Sequence, residues 1–448
     1  MTRINIRLFW GFWAVAAALW LALNPEIFSA TSVFTLRGPM MQFSGALAIA
    51  AMSVAMILSL RPLWLEARVN GLDKMYRLHK WLGVGALGLA VFHWLWAEAP
   101  KWAIELGLLT RPERGPRPEI VDPIQNFFAG FRHTAEGLGE WAFYGVVILL
   151  LIALIKLIPY RIFRYSHRLM PLVYLVLVFH SVILIDFAMW ATPLGAALAL
   201  LMLAGGYAAL ASIFGRIGAG RRVAGEIVEM RTYPGVRSLE TVIRLGAGWR
   251  GHQAGQFAFV TSNPVEGAHP YTIASAWSPD ERTAAFVAKE LGDHTTGLAD
   301  RLKLGQRVTV EGPYGRFTFD DGLPRQIWIG AGIGITPFLA RMKEMATEAP
   351  DGVRPEIDLF HTTREVDEAA LERLAGDARA AKIRLHLLID ARDGRLTGQR
   401  IRDEVAGWRE ASLWFCGPSK FGAALRADFA AQGFPVDERF HHELFELR

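Results

Sequence analysis

The chain has 448 residues, 52% of them hydrophobic, and a formal net charge of +5 at pH 7. This length suits several domains, and the first half is far more apolar than the second, as in a membrane protein with a soluble tail. The basic residues of the first half lie in alternate short loops, so they indicate membrane topology rather than a nucleic-acid partner. The single cysteine, Cys416, excludes an internal disulfide framework and a cysteine-held iron–sulfur cluster.

Six stretches are long and apolar enough to cross a lipid bilayer. They cover residues 8–23, 40–60, 79–97, 140–158, 168–189 and 193–214. The first is short and follows Arg3 and Arg7, so a cleaved signal peptide is the alternative to a retained helix; a retained helix keeps the number of spans even. Lysine and arginine crowd the loops after the second, fourth and sixth spans. This pattern predicts a protein of the cell (inner) membrane with both termini in the cytoplasm.

Four histidines lie within or at the ends of these spans, as two pairs. His79 and His93 are 14 residues apart, and His167 and His180 are 13 residues apart. Each separation corresponds to roughly 20 Å of helix, which places one histidine of each pair near each membrane surface. If the two helices run parallel, His79 faces His167 and His93 faces His180, and each couple can hold one b-type haem iron. The alternative for any single one is a hydrogen-bonded packing residue. Because His167 and His180 are about 140° out of phase on a straight helix, we expect Pro171 to kink it.

Two neighbouring regions bear on the haem hypothesis. Arg77 and Lys80, next to His79, either extend to the membrane interface or bind haem propionates. The external segment 98–139 contains five prolines and three phenylalanines. It is either a lid over the outer haem or a solvated connector.

From residue 223 the pattern changes to short alternating strands between Gly, Pro and Asn turns, which predicts a small antiparallel β-barrel ending near 311–317. After Gln326, strands alternate with helices, as in an open parallel sheet. The glycine turn at 330–338 follows a strand and opens a helix, where backbone amides can approach a pyrophosphate. The predicted fold is therefore multidomain, with a six-helix transmembrane bundle (1–218), an antiparallel β-barrel (219–322) and an α/β open parallel sheet (323–448).

Over nearly its whole length the chain resembles the membrane ferric reductases and NADPH oxidases. The histidine spacings match the two-haem pattern of that family, and HPYTIAS at 269–275 and LGDHTTGL at 291–298 are similar to its flavin motifs. EGPYG at 311–315, the glycine turn at 330–338 and FCGP at 415–418 match in order and spacing. The resemblance implies a di-haem domain fused to a ferredoxin-reductase-type dehydrogenase, with two b-type haems, FAD and NADPH or NADH as cofactors.

The same resemblance implies roles for single side chains. Tyr271 would lie along the flavin, Thr272 would hydrogen-bond near its reactive nitrogen, and Cys416 would lie beside the nicotinamide. Phe445 would stack on the flavin, and Arg364 would bind the ribose 2′-phosphate, which favours NADPH over NADH. The other implied residues are His269, Lys289 and Thr295 at the flavin phosphates, Pro270 and Ser275 in the flavin motif, and Gly330, Gly332, Gly334, Thr336 and Gly417 around the dinucleotide.

These features predict an enzyme that passes electrons from cytoplasmic NAD(P)H through FAD and two haems to an external acceptor, either a ferric chelate or O2. Because histidines would fill both axial positions of each haem, transfer to the acceptor would be outer-sphere. Many oxidases of the family have a second histidine one turn beyond the outer ligand; Ala97 stands there, which weakens the superoxide hypothesis. Arg37, Lys101 and Arg132 would attract an anionic chelate. The alternatives are an electron conduit to a periplasmic redox partner protein and a non-redox membrane protein.

Overall fold

The computed structural model describes residues 3–111, 120–292, 294–348 and 354–443, apart from the side chains of Arg3 and Glu26. The chain divides into two compact units between Ile217 and Gly218. The first unit is helical, and the second is built around two sheets.

Six helical spans of the first unit are long and apolar enough to cross a membrane, as the sequence predicts. The helices are α1 (Arg3–Leu23), α2 (Val33–Ser59), α3 (Leu63–Val69), α4 (Leu72–Glu105), α5 (Pro123–Gly130), α6 (Arg132–Leu154), α7 (Tyr160–His167), α8 (Met170–Leu184) and α9 (Pro193–Ile213). The short helices α3 and α5 are not counted among the spans, and α7 and α8 together form one.

Small residues allow α2 to pack closely at the centre of the first unit. Its buried face is rich in alanine and serine, and it contacts α4 and α9 extensively. Close backbone approach through small residues is the usual way in which helices associate in lipid. Large apolar side chains such as Trp141, Leu200 and Leu203 instead point outward, as expected for a surface that faces lipid.

The segment 98–139 is more helical than its prolines predict, because α4 and α6 both extend into it. Pro100 lies inside α4, and its missing N–H leaves the carbonyl of Trp96 without the usual helical donor. The guanidinium of Arg37 donates to the carbonyl oxygens of Trp96 and Ala97 at 3.1 and 2.9 Å. This contact replaces the lost hydrogen bond and lets the helix continue through the proline.

The fifth span is broken rather than kinked. α7 ends at His167 and α8 begins at Met170, with Pro171 among the first two residues of α8, where a proline costs no helical hydrogen bond. The expectation of a kink at Pro171 is therefore wrong, because the helix is interrupted at residues 168–169, before the proline. This break removes the phase problem, since His167 and His180 belong to different helices.

The second unit begins with an antiparallel six-stranded sheet in the order β4-β3-β6-β1-β2-β5. Its elements are β1 (Arg222–Tyr233), β2 (Ser238–Leu245), β3 (Phe257–Thr261), β4 (His269–Thr272), β5 (Thr283–Lys289), α10 (Leu298–Arg301) and β6 (Arg307–Tyr314). A bridge between Ile273 and Phe286 joins the end of β4 to β5, so the sheet closes into a barrel. Its core contains Ile227, Ile243 and Val260.

The rest of the second unit is a parallel five-stranded sheet in the order β11-β10-β7-β8-β9. Its elements are β7 (Arg325–Ala331), α11 (Thr336–Thr347), β8 (Glu356–Thr363), α12 (Glu368–Ala380), β9 (Arg384–Ile389), α13 (Asp390–Asp393), α14 (Gly398–Glu404), β10 (Ser412–Cys416), α15 (Ser419–Ala431), α16 (Val436–Arg439) and β11 (Phe440–His442). Trp328 packs into the core on one face, and its neighbours Ile327 and Ile329 pack on the other. The carboxyl ends of β7, β8 and β10 share one edge, where open parallel sheets bind their ligands.

Candidate functional site

Two pairs of histidine rings meet inside the first unit. The ring centroids of His79 and His167 are 6.1 Å apart, and those of His93 and His180 are 6.2 Å apart. The ring planes are inclined at 75° and 79°. α4 therefore runs in the same direction as α7 and α8, and the couples are those that the spacing predicts to face each other.

These separations fit one metal ion between each couple. A bond of roughly 2 Å from metal to nitrogen, with about 1.2 Å from nitrogen to the ring centroid, places opposite imidazole centroids about 6.4 Å apart. Since a haem iron accepts two axial imidazoles, four side chains in this geometry fit two b-type haems.

Backbone carbonyls orient three of the four rings. The distances from Nδ1 to carbonyl oxygen are 2.9 Å for His79 to Ala55, 2.9 Å for His93 to Met41 and 2.8 Å for His180 to Ala135. Because a carbonyl oxygen only accepts, Nδ1 carries the proton, and Nε2 keeps its lone pair for a metal. The buried Nδ1 of His167 has no hydrogen-bond partner within the part of the chain that the structure describes.

Two glycines make room for the rings of His93 and His180, which are called the outer couple below. A Cβ atom on Gly139 would lie 1.9 Å from Nδ1 of His180, and one on Gly45 would lie 3.2 Å from Cε1 of His93. The first distance is impossible for non-bonded atoms, whereas the second requires only a small shift. The observed position of the His180 ring therefore requires a residue without a side chain at position 139 of α6.

Basic side chains neighbour His79 and His167, which are called the inner couple below. Arg77 is half-buried and Lys80 is exposed, both in the first turns of α4, and Arg164 lies in the last turn of α7. Cationic side chains at this depth are suited to carboxylates such as haem propionates and equally to the membrane interface.

A cavity of about 840 Å³ adjoins the outer couple, a size typical of cofactor and ligand sites. Besides His93 and His180, its charged or titratable lining residues are Arg37, Glu98, Lys101, Arg111, Arg132, His133, Glu136 and Glu140. Lys101 pairs with Glu98 at 2.5 Å, and Arg132 pairs with Glu136 at 3.0 Å. Sequence analysis did not single out Arg111 or His133, because only the tertiary fold brings them to this cavity.

The second unit carries the flavin motif on β4. Side chains alternate along a strand, so His269 and Tyr271 project from one face, and Pro270 and Thr272 from the other. Beyond the strand, the hydroxyl of Ser275 accepts a hydrogen bond from a backbone N–H of β5 at 3.0 Å. The motif is therefore fixed at both ends within the barrel.

Tyr271 belongs to a hydrogen-bonded network that sequence analysis missed. Nε2 of His294 lies 2.8 Å from the Tyr271 hydroxyl, and its Nδ1 lies 2.5 Å from Oε2 of Glu266. The rings of His269 and His294 stack with centroids 3.4 Å apart. Two histidines and a carboxylate are a ligand set that transition metals accept, yet both nitrogens of His294 are already hydrogen-bonded here. Burial, followed by the charge of Glu266, raises the pKa of Tyr271, so its hydroxyl stays protonated at pH 7.

Two of the residues implied at the flavin phosphates have other partners. Nζ of Lys289 pairs with Glu365, beyond β8, at 2.5 Å. The hydroxyl of Thr295 accepts from the backbone N–H groups of Leu291 and Gly292 at 2.9 and 3.3 Å, which caps its own turn. The Thr295 hydroxyl and the Lys289 ammonium therefore do not join the hydrogen-bonded network of Tyr271, His294 and Glu266.

The glycine turn after β7 leads directly into α11. Gly332 has φ of +56°, which favours glycine. A Cβ atom on Gly334 would lie 2.2 Å from the carbonyl oxygen of Cys416, and one on Gly417 would lie 2.7 Å from a side chain at the end of β7. The hydroxyl of Thr336 donates to a carbonyl of the turn at 2.6 Å. These contacts hold the ends of β7 and β10 close enough for one ligand to touch both.

Cys416 is the last residue of β10 and the register partner of Gly330 on β7. Burial, with a smaller contribution from the charge of Glu443, raises the pKa of its thiol well above the usual value, so the thiol is neutral at pH 7. Glu443 is itself buried, and it lies near Gly315 of the EGPYG motif. The resemblance did not single out this carboxylate, although it stands two residues before Phe445, which lies outside the described residues.

Arg364 follows β8 and is 74% exposed, with Nε 3.3 Å from Oδ2 of Asp390. Asp390 also accepts from the hydroxyl of Thr362 at 3.0 Å. An arginine at such a strand end can bind a ribose 2′-phosphate, whereas a carboxylate can accept from a 2′-hydroxyl. At this edge of the sheet, Arg364 is suited to the 2′-phosphate of NADPH and Asp390 is suited to the 2′-hydroxyl of NADH.

Comparisons with known proteins follow the same division of the chain. A ferric reductase like transmembrane component matches residues 44–178, and an FAD-binding domain matches residues 247–318. The chain is similar to the stachydrine N-demethylase reductase subunit of Rhizobium meliloti, with 30% identity over 43% of this chain and 58% of that protein. It is similar to an NADPH oxidoreductase of Mycobacterium tuberculosis, with 28% identity over 40% and 47% of the two chains. The chain thus spans about half the length of the curated relatives it matches.

Among solved structures, a cytochrome P450 reductase from Amycolatopsis shares 22% identity with a TM-score of 0.44, over 51% of this chain and 71% of its own. The transmembrane match includes His79, His93 and His167, and ends two residues before His180. The FAD-binding match includes the whole of β3 to β6. The chain therefore combines a ferric-reductase-like transmembrane domain with an FAD-binding domain of the ferredoxin-reductase type, the fusion that the sequence predicts.

Proposed function

We propose that the chain carries electrons from cytoplasmic NAD(P)H through FAD and two b-type haems to an anionic ferric chelate outside the membrane. The recurring separation of 6.1 and 6.2 Å in the two histidine couples carries this proposal. FAD, when bound, accepts two electrons as hydride and releases them singly, which joins a two-electron donor to one-electron haems. The proposed domains are residues 1–218 for the haems, 219–322 for FAD and 323–448 for NAD(P)H.

In this proposal the second unit binds and orients the electron donor. The glycine turn at 330–336 offers backbone N–H groups and the positive end of α11 to the pyrophosphate. Arg364 binds the 2′-phosphate of NADPH, and Cys416 packs beside the nicotinamide as a neutral, apolar thiol. Tyr271 orients the flavin, with its hydroxyl held by His294.

The first unit holds the haems and fixes the direction of transfer. Nδ1–H groups of His79, His93 and His180 donate to backbone carbonyls, which leaves the lone pair of each Nε2 available and would fix the rings to hold a haem iron. The excess of basic residues in alternate loops supports a cytoplasmic location for the second unit. Outward transfer of an electron across an inside-negative membrane is favourable by about 2.3 kcal/mol per 100 mV.

The charges of the outer cavity support an anionic acceptor. Four cationic side chains and three carboxylates line it, and two ion pairs account for Lys101, Arg132 and two of those carboxylates. Arg37, Arg111 and the carboxylate of Glu140 remain, which leaves an excess of one positive charge to attract an anion. Arg37 is fixed by its two carbonyl contacts. A fixed cation near the outer haem favours docking of a chelate that carries negative charge.

Superoxide formation is the second candidate, favoured by His133. The expected second histidine is missing from α4, but His133 of α6 lines the same cavity as Arg37. A histidine and an arginine beside the proposed outer haem resemble the oxygen pocket of the oxidases. Here the histidine comes from α6 instead of α4.

The test supplies NADPH to purified, FAD-loaded protein and compares ferrous-chelator colour with dye reduction that superoxide dismutase suppresses. We expect two haems per polypeptide and faster chelate reduction than superoxide formation. His93→Ala removes the outer haem and both activities, while the matched control His133→Ala keeps both haems and chelate reduction. Undiminished rates in His93→Ala contradict the proposed path. Slow turnover of small acceptors with a co-purifying redox protein instead supports the conduit to a periplasmic partner.

A further inference from the structure

An ion pair between a buried carboxylate and a partly exposed arginine joins the flavin-binding barrel to the nucleotide-binding sheet within the second unit. Nη1 of Arg373, on α12, lies 2.5 Å from Oε2 of Glu240 and 2.8 Å from the hydroxyl of Tyr233. That hydroxyl donates to Glu240 at 3.0 Å. Glu240 on β2 and Tyr233 on β1 are only 6% and 8% exposed. A carboxylate buried in a barrel wall is costly without a cation, so the barrel requires α12 to deliver Arg373 to this position.

A second cation links the two binding motifs directly. Nζ of Lys343, on α11, donates to the carbonyl oxygen of Ala274 at 3.0 Å. α11 starts at the glycine turn, and Ala274 lies within the flavin motif, two residues after Thr272. Burial lowers the pKa of Lys343, and the charge of Asp377 acts against that effect. One side chain thus connects the helix that faces the dinucleotide with the segment that faces the flavin.

Further polar contacts surround these two. Arg237 and Lys289 of the barrel both pair with Glu365, at 2.6 and 2.5 Å, and the backbone N–H of Gly235 donates to Asp367 at 2.9 Å. Lys289 and Glu365, together with Lys343 and Arg373, line a cavity of about 100 Å³ whose lining also includes residues of the glycine turn. Interfaces of this polar kind permit domain movement unless specific contacts fix them. Directional, charge-assisted hydrogen bonds fix an angle and a distance better than apolar packing does.

We infer that Arg373 and Lys343 are positioning residues that set the separation between the nicotinamide and the flavin. This inference rests on the proposed function. In the step concerned, a C–H bond of the reduced nicotinamide breaks, and its hydrogen moves with both electrons to form an N–H bond on the flavin, leaving NAD(P)⁺. Such a transfer requires the reacting atoms to lie about 3–3.5 Å apart, and a displacement of about 1 Å costs about 100-fold in rate. Tethers on α11 and α12 control that displacement from outside the reacting centre.

A distance measurement tests the tethers without any cofactor. Spin labels are placed in the full chain at Asp280→Cys in the barrel and Glu410→Cys in the sheet domain, two exposed sites. The native Cys416 is buried, so the labels go to the added cysteines. We expect one narrow distance distribution in the parent protein and a broadened or shifted one in Lys343→Met and in Arg373→Met. Arg379→Met, an exposed arginine on the same helix, is the matched control and leaves the distribution unchanged.

A rate measurement then tests the consequence in FAD-loaded protein. Rapid mixing with NADPH under anaerobic conditions should show flavin reduction slowed about ten-fold or more in each variant, with FAD affinity within about two-fold of the parent. Lys343→Arg, which keeps a donor, should recover part of the rate. Unchanged distances overturn the inference, as do unchanged rates or a loss of FAD binding that accompanies the loss of rate. If the parent protein fails to reduce its flavin, the proposed function is wrong, while the label distances still decide whether the tethers hold the domains.

Discussion

Replacing Gly139 by alanine tests the haem geometry at the outer couple. The added Cβ would lie 1.9 Å from Nδ1 and 2.4 Å from Cε1 of His180, about 1.5 Å inside an ordinary contact. A ring displaced by that amount loses its 2.8 Å bond to the Ala135 carbonyl. Metal–ligand distances tolerate about 0.2 Å, so we expect Gly139→Ala to lose the outer haem and to retain the inner one.

Haem per polypeptide, together with the reduced-minus-oxidised absorbance spectrum, provides the assay. Gly45→Ala is the graded comparison, since its Cβ would lie 3.2 Å from His93, and it should retain both haems with a small spectral shift. Gly145→Ala on α6 is the control, because its Cβ meets only an ordinary contact at 3.8 Å. It should be neutral or stabilising by about 1 kcal/mol, the helix preference of alanine over glycine. Two haems in Gly139→Ala would refute the assignment of His180 as an axial ligand.

Three further predictions concern the second unit. Burial alone would raise the pKa of Asp321, but hydrogen bonds from His441 and other donors outweigh this effect and lower the pKa to about 2. The free energy of unfolding should therefore fall as the pH drops from about 4 to about 2. Asp321→Asn should cost about 2 kcal/mol at pH 7 and abolish that pH dependence, measured by flavin release from the full chain on denaturation. Arg364→Ala should raise KM for NADPH about ten-fold and leave KM for NADH nearly unchanged, whereas Asp390→Asn should impair NADH use selectively, in steady-state assays. Cys416, with its raised thiol pKa, should resist iodoacetamide at pH 7 until the chain unfolds, as followed by mass spectrometry; rapid labelling of folded protein would contradict its burial.

The helical architecture and the facing histidines could be predicted because both depend on local periodicity. Fourteen residues of one helix, and thirteen residues that run from the end of α7 into α8, place the histidines at similar depths. The same reasoning could not distinguish a kink at Pro171 from a break at residues 168–169. A proline is compatible with either, and the outcome depends on where the helix begins.

The charged parts of the site were less predictable because they depend on contacts far apart in sequence. Lys289 seemed suited to a phosphate, but its partner Glu365 is 76 residues away. His294 lies within the motif LGDHTTGL at 291–298, where the resemblance assigns it no role. Its contact with Tyr271 exists only once the loop is folded. Arg373 looks like an ordinary helix-surface arginine until the barrel supplies a buried carboxylate.

The break between α7 and α8 puts one histidine of each proposed metal site on a separate helix, although the other two share α4. A substitution beneath α7 can rotate the imidazole of His167 while His180 stays in place on α8. The orientation and hydrogen bonding of an axial ligand tune the reduction potential of a haem. Selection can therefore adjust the electrochemical step between the inner and outer sites by altering one short amphipathic helix, without redesigning the rest of the bundle.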